Sequence, residues 1–269
     1  MSMPKFEAHR LRQHILNMAF AGSTVHIACA FSIVEILAVL YRHHLRLAGD
    51  VNAQNRDYLV LSKGHGVMAQ YACLRELGLL SAADLEHYFA DGTRLKGLSD
   101  AHVPGLEVSS GSLGHGLSVG VGLALGANRR RTNQWCYAIV GDGEMNEGSI
   151  WEALLFAKHQ RLGRLMVIVD ENGFQAMGRT EDVLELGDLK RKFEAFGFLT
   201  EYVDGHDEDA LHEAVLRLKA GDIDCPKALI ARTVKGKGVS FMEADNRWHY
   251  TRLNTETYHR AMLELEPRP

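Results

Sequence analysis

Three apolar runs in the second half of the chain each stop at a turn rich in glycine and polar residues. Trp135–Val140 runs into Gly141-Asp142-Gly143, Leu165–Asp170 into Glu171-Asn172-Gly173, and Ala228–Thr233 into Val234-Lys235-Gly236-Lys237-Gly238. Short runs this apolar suit strands buried on both faces. Helical stretches lie between them, at about Glu147–Arg161, Leu186–Phe196 and Asp207–Ala220. Strands alternating with such helices predict an α/β fold, a parallel sheet with helices on both faces. Tyr58–Leu61 and Leu199–Val203 read as two more strands. Upstream, helices are expected over residues 6–20, over Ser32–His44, over Gly66–Leu77, and over Ser81–Tyr88 with Ser81 as N-cap. One sheet needs no second core, so residues 1–269 read as a single domain.

Composition narrows the function classes. The 269 residues carry a net charge of −4, which leaves no basic footprint for nucleic acid and no polybasic membrane anchor. The two long uncharged stretches, Gln13–Val34 and Val108–Asn128, are interrupted by polar residues and glycine, so no membrane span is expected. Cys29, Cys73, Cys136 and Cys225 are too scattered for a metal cluster or redox pair and read as buried thiols in a reducing compartment, the cytoplasm. The chain has 26 glycines but only 5 prolines, which suggests close backbone approaches in a packed fold rather than a linker. The Leu113–Asn128 stretch, with Gly116, Gly120, Gly122 and Gly126, is the clearest case. His43-His44 and His9 read as solvated helix positions, and Lys235 and Lys237 as surface charge.

Ligands of open parallel sheets bind beyond the carboxyl ends of the strands. If the strands before Asp142 and Asn172 are neighbours, these two residues emerge side by side. One carboxylate with a neutral amide oxygen is a hard-oxygen site, without the His and Cys that zinc prefers. Such a set suits Mg²⁺ shared with a phosphate-bearing ligand, and the Gly143 N–H stands where it could meet that phosphate. The pair therefore predicts a magnesium-bridged diphosphate. Taken singly, each turn is only a turn. No G-x-G-x-x-G follows a strand and no P-loop is present, which removes the usual nucleotide-binding competitors.

At this point a resemblance becomes specific. GDGEMNEGSIWEALLFAKHQRLGRLMVIVDENGFQAMG, residues 141–178, resembles the thiamine diphosphate motif. The surrounding elements resemble transketolase in particular: GSTVHIACAFS at 22–32, LSKGHG at 61–66, VSSGSLGHG at 108–116, TVKGKG at 233–238 and Trp248-His249. They run in family order along nearly the whole chain.

The resemblance implies a function, residue by residue. Asp142, Asn172 and the Phe174 carbonyl would hold magnesium, and Gly143 would contact the diphosphate of the coenzyme. His65 and His249 would face the diphosphate or the reacting carbons. His26 and His102 would line the cleft and bind the hydroxyls of the donor sugar. Gly111 and Leu113 would lie against the coenzyme rings. Glu147 and Glu152 match two glutamates that the family uses between paired active sites, although the Ser149–Glu152 spacing also suits a capping box. The implied reaction moves a two-carbon ketol unit from a ketose, or its phosphate, to an aldose. The family supplies the pyrimidine-facing half of the site from a second, C-terminal domain. The expectation is therefore the N-terminal subunit of a split transketolase, working with a separate C-terminal subunit in a two-plus-two heterotetramer. A component of another thiamine diphosphate enzyme, of the 2-oxo acid dehydrogenase or deoxyxylulose-phosphate synthase type, and a non-catalytic relative are the alternatives. Ala101-His102-Val103, His115 and Glu144 depart from the family pattern.

Overall fold

The computed structural model describes residues 6–47, 53 and 55–266. Seven strands follow in chain order: β1 (Tyr58–Leu61), β2 (Cys136–Gly141), β3 (Leu165–Glu171), β4 (Phe174–Gln175), β5 (Gly178–Arg179), β6 (Leu199–Asp204) and β7 (Lys227–Arg232). Five of them form the main sheet, in the order β1-β2-β3-β7-β6, with every neighbouring pair parallel. The parallel α/β sheet read from the apolar runs is the sheet observed. β4 and β5 form a separate antiparallel hairpin that the sequence reading did not contain.

Side chains of a strand alternate between the two faces of its sheet. Tyr137, Ile139, Met166 and Ile168 therefore join one core, while Cys136, Ala138, Val140, Val167 and Val169 join the other. The first core is closed by α1 (Ala8–Ala21), α2 (Ile27–Phe31), α3 (Val34–Val39), α4 (Val67–Glu76), α10 (Glu208–Ala220) and α11 (Thr255–Glu264). The second is closed by α6 (Gly116–Arg129), α7 (Gly148–His159) and α9 (Leu189–Ala195), the last preceded by a single turn, α8 (Thr180–Val183). Each fully buried Leu, Ile or Phe in these layers contributes about 1.5–3 kcal/mol. The free cysteines Cys29, Cys73, Cys136 and Cys225 are all buried, as read.

Two stretches differ from the expectation. The helix expected over Ser32–His44 is two short helices and a wide turn, α2, α3 and a π-helical Leu40–His44. Ser32 lies at the first break, where its hydroxyl is 3.1 Å from the Cys29 carbonyl oxygen and 2.8 Å from Asp170, side-chain contacts that compete with the regular ladder. The run Ile27–His44 is long and apolar enough to cross a membrane, but 89% of it is buried inside the chain, as expected of a core element. By contrast, α5 (Ala82–Glu86) starts as read, with a Ser81–Asp84 capping box.

Because every pairing is parallel, the carboxyl ends of β1, β2, β3 and β7 share one edge of the sheet. The segments 62–66, 141–147, 171–178 and 233–238 leave the sheet at that edge, and the cleft described next lies between them.

Candidate active site

Asp142 and Asn172 follow adjacent strands, with Gly141 opposite Asp170 in the register. The two turns touch: the Gly173 N–H donates to Asp142 Oδ2 at 2.6 Å, and the Gly143 N–H donates to Asp142 Oδ1 at 2.8 Å. The Phe174 N–H donates to Asn172 Oδ1 (3.0 Å), and the Asn172 amide nitrogen donates to Asp170 (2.8 Å). Burial, and then the nearby Asp170 carboxylate, push the Asp142 carboxyl up to about 7.

Beneath this pair lies a buried ionic floor that the sequence reading missed. Asp170 accepts from Lys63 Nζ (2.5 Å), Ser32, Asn172 and the Thr233 hydroxyl. Lys63 and Asp170 are both fully enclosed, so each needs the other to offset desolvation. Lys63 lies inside the quoted LSKGHG element, and Asp170 ends an apolar run; a charge closing such a run was the available signal. Glu144, read as an extra carboxylate beside the metal turn, instead clamps the neighbouring loop. It accepts from the Ser62 hydroxyl, the Gly114 N–H (2.9 Å) and the Gly141 N–H (3.2 Å).

Three of the four histidines named from the sequence converge. The ring centroids of His26 and His65 are 5.3 Å apart, those of His26 and His249 5.2 Å, and those of His65 and His249 5.8 Å. They line a cleft of about 630 Å³ that also takes in Asp142, Asn172 and Phe174. Gly111, Leu113, Gly143 and Glu147 line the same cleft. Burial lowers all three imidazoles, and Lys235 adds to the effect at each; His249 falls to about 3 and His65 well below its ordinary value. The shift favours the neutral ring in all three.

Four expectations need correction. His102 does not line the cleft: its side chain is 92% exposed and pairs with Asp100 (2.7 Å), because the Asp100–Val103 turn swings it outward. Lys235 is not surface charge but a buried cleft residue, lowered to about 8 by burial, with its ammonium 2.9 Å from His249 Nδ1. His44 is not solvated. It is buried against His212, whose Nδ1 lies 3.0 Å from His44 Nε2. Ser149 makes no capping box with Glu152; its hydroxyl donates to the Gly114 carbonyl (2.9 Å), and Glu152 stays exposed outside the cleft.

Residues 11–267 match the family model described as transketolase, thiamine diphosphate binding domain. The chain belongs to the transketolase family. It is 34% identical to one of the named subunits of an apulose-4-phosphate transketolase from Phocaeicola vulgatus, over 98% of this chain and 94% of that one. It is 37% identical to a 6-deoxy-6-sulfo-D-fructose transketolase subunit from a Clostridium species, over 90% of this chain and 88% of that one. Among solved structures it resembles transketolase from Leishmania mexicana, with TM-score 0.89 and 28% identity over 98% of this chain but 41% of that one. Transketolase from Campylobacter jejuni matches similarly, with TM-score 0.89 and 26% identity over 98% of this chain and 43% of that one.

The groups that a transketolase diphosphate-binding domain implies fit the residues present. The donors at the two turns are a carboxylate, an amide oxygen and the Phe174 carbonyl, an oxygen-only set of the kind magnesium prefers. Burial holds the Asp142 carboxyl up near 7, and a divalent cation would favour its ionised form. At Gly143 a Cβ would stand 2.6 Å from Gln175 Cβ, so only glycine keeps this wall of the cleft clear.

Proposed function

We propose that the chain is the diphosphate-binding subunit of a two-subunit transketolase, which with a C-terminal partner moves a two-carbon ketol unit from a ketose, or its phosphate, to an aldose. The observation that carries this is one cleft uniting the Asp142–Asn172 oxygen pair with three converging histidines. Likeness to transketolases that are named as subunits supports the two-chain reading. The rim adds further support: Leu98, Met177, Leu184 and Tyr250 line the cleft yet remain exposed, an apolar border suited to a partner.

In this reading Asp142, Asn172 and the Phe174 carbonyl hold Mg²⁺, and Gly143 lies against the diphosphate. Bound thiamine diphosphate supplies the electron sink that lets a carbon–carbon bond beside a carbonyl break. The protein binds, orients and moves protons. Gly111, Leu113 and Leu98 form a wall that keeps water from the rings. His26, His65 and His249 turn ring nitrogens toward the cleft as hydrogen-bond partners for sugar oxygens. His102 has no part in this set, because its ring lies outside the cleft. Glu147 stands at the cleft edge and Glu152 beyond it; we assign both to contacts between subunits in a two-plus-two assembly.

The test is to purify the chain with and without a separately encoded pyrimidine-binding partner and to assay ketol transfer with thiamine diphosphate and Mg²⁺. Transfer only by the mixture is expected. Full transfer by the chain alone, or release of CO₂ from a 2-oxo acid by the mixture, overturns the proposal.

A further inference from the structure

Lys235 and Asn246 form a relay whose direction can be read atom by atom. The Asn246 amide nitrogen donates to the Ala176 carbonyl (3.2 Å), which turns its oxygen toward Lys235. Lys235 Nζ donates to that oxygen at 2.6 Å and lies 2.9 Å from His249 Nδ1. An ammonium has three donors and no lone pair. The His249 nitrogen facing it must therefore be the bare one, and in a neutral imidazole the proton then sits on Nε2. Nε2 has no hydrogen-bond partner among the described residues, and His249 lines the cleft.

The backbone around Lys235 is held on both sides. The Val234 N–H donates to His206 Nε2 (2.8 Å), and the Gly236 N–H to the Ala28 carbonyl (3.0 Å). At Gly236, φ is +81° and a Cβ would lie 2.3 Å from the Met242 carbonyl oxygen, so only glycine lets the chain turn there. The His249 end is tied down as well, because its carbonyl accepts from the His26 N–H (3.1 Å). The ammonium and the ring are thus brought together by fixed backbone rather than by two mobile side chains.

We infer that Lys235, oriented by Asn246, is a positioning residue that locks His249 in the Nε2–H tautomer, so that His249 meets the ligand as a hydrogen-bond donor and not as a base. The ligand group this selects is an oxygen with free lone pairs, either a sugar carbonyl or hydroxyl oxygen or an anionic phosphate oxygen. The tautomer follows from the side-chain network alone. Its use in ketol transfer rests on the function proposed above.

The experiment is nitrogen-15 NMR of the full chain labelled at histidine, read through long-range proton–nitrogen correlations. The His249 signals are identified as those lost in His249→Gln. In the wild-type chain a bare Nδ1 and a protonated Nε2 are expected. Lys235→Arg, which keeps a donor, retains the pattern. Lys235→Met loses it, and the two nitrogens move toward a common averaged shift. A wild-type Nδ1 that carries the proton, or a pattern unchanged in Lys235→Met, overturns the inference. The wild-type measurement decides even if a variant does not fold. Ketol transfer by the wild-type pair reports separately on the function: transfer without the Nε2–H tautomer sinks only this inference, and the tautomer without transfer sinks only the function.

Discussion

Asp142 and Glu35 are both buried carboxylates, and their surroundings treat them in opposite ways. Burial and the neighbouring Asp170 carboxylate raise Asp142 and outweigh the opposing charge of Lys63. At Glu35, burial works in the same direction but is outweighed by the hydrogen bond from His206 (2.9 Å) and the two-pronged contact from Arg12 (2.7 and 2.8 Å), which hold it at about 2. A carboxyl lowered on folding stabilises fully above its ordinary value of 4.5, and the contribution fades as pH falls from 4.5 toward 2. Glu35→Gln should therefore cost on the order of 3 kcal/mol at pH 7 and flatten the acid limb of stability below pH 4.5. Urea unfolding at several pH values checks this, and parallel acid limbs for the two chains would refute it. For Asp142 the expected effect is on ligand affinity. Asp142→Asn, or removal of Mg²⁺ by chelation, should weaken thiamine diphosphate binding to the subunit pair at least about 100-fold by calorimetry, beyond the about 10–100-fold typical of losing an outer-shell partner. Binding unaffected by both treatments would move the metal elsewhere.

Helix α6 shows why the glycines of one element are not equivalent. Gly116, at its start, faces the turn after β1, where a Cβ would lie 2.5 Å from Ser62 Cα. Gly122, mid-helix, has nothing within 4 Å of its Cβ position. Gly116→Ala should cost about 1–3 kcal/mol, because backbone must move to admit the methyl group. Gly122→Ala should instead stabilise the isolated chain by about 0.5–1 kcal/mol, since alanine loses less freedom in a helix. Chemical unfolding of the two variants side by side gives the comparison, and equal effects would mean that α6 does not press on Ser62. The pattern G-x-x-x-G-x-G was visible in the sequence. Which glycine bears on the neighbouring turn was not, because that depends on the rotation of α6 against β1 and β2.

At the scale of the molecule, the cleft opens beside exposed apolar side chains, with Met177 77% and Leu184 58% exposed. Replacing both with glutamate should leave the stability of the free chain within about 0.5 kcal/mol, as for surface positions generally. The same change should weaken capture of the partner by at least about tenfold, because charge enters the core of an interface. Sedimentation of the mixed subunits measures this, and undiminished pairing would place the contact away from the rim. What the sequence determined by itself was the set of main-sheet strands and the turns that end them. Apolar runs ending at GDG and ENG are enough to require parallel strands, because a strand buried on both faces needs helices above and below it. Parallel strands in turn put Asp142 and Asn172 at one edge. What only the tertiary structure decided was the fate of residues whose environment comes from distant segments. Lys235 reads as a surface lysine until Asn246 and His249 close over it, and His44 as a solvated helix position until α10 brings His212 against it. His102 reads as a cleft residue until its turn directs it into solvent. Burial, and with it charge state, is a property of what packs around a side chain, and no pattern within a few residues of it carries that information.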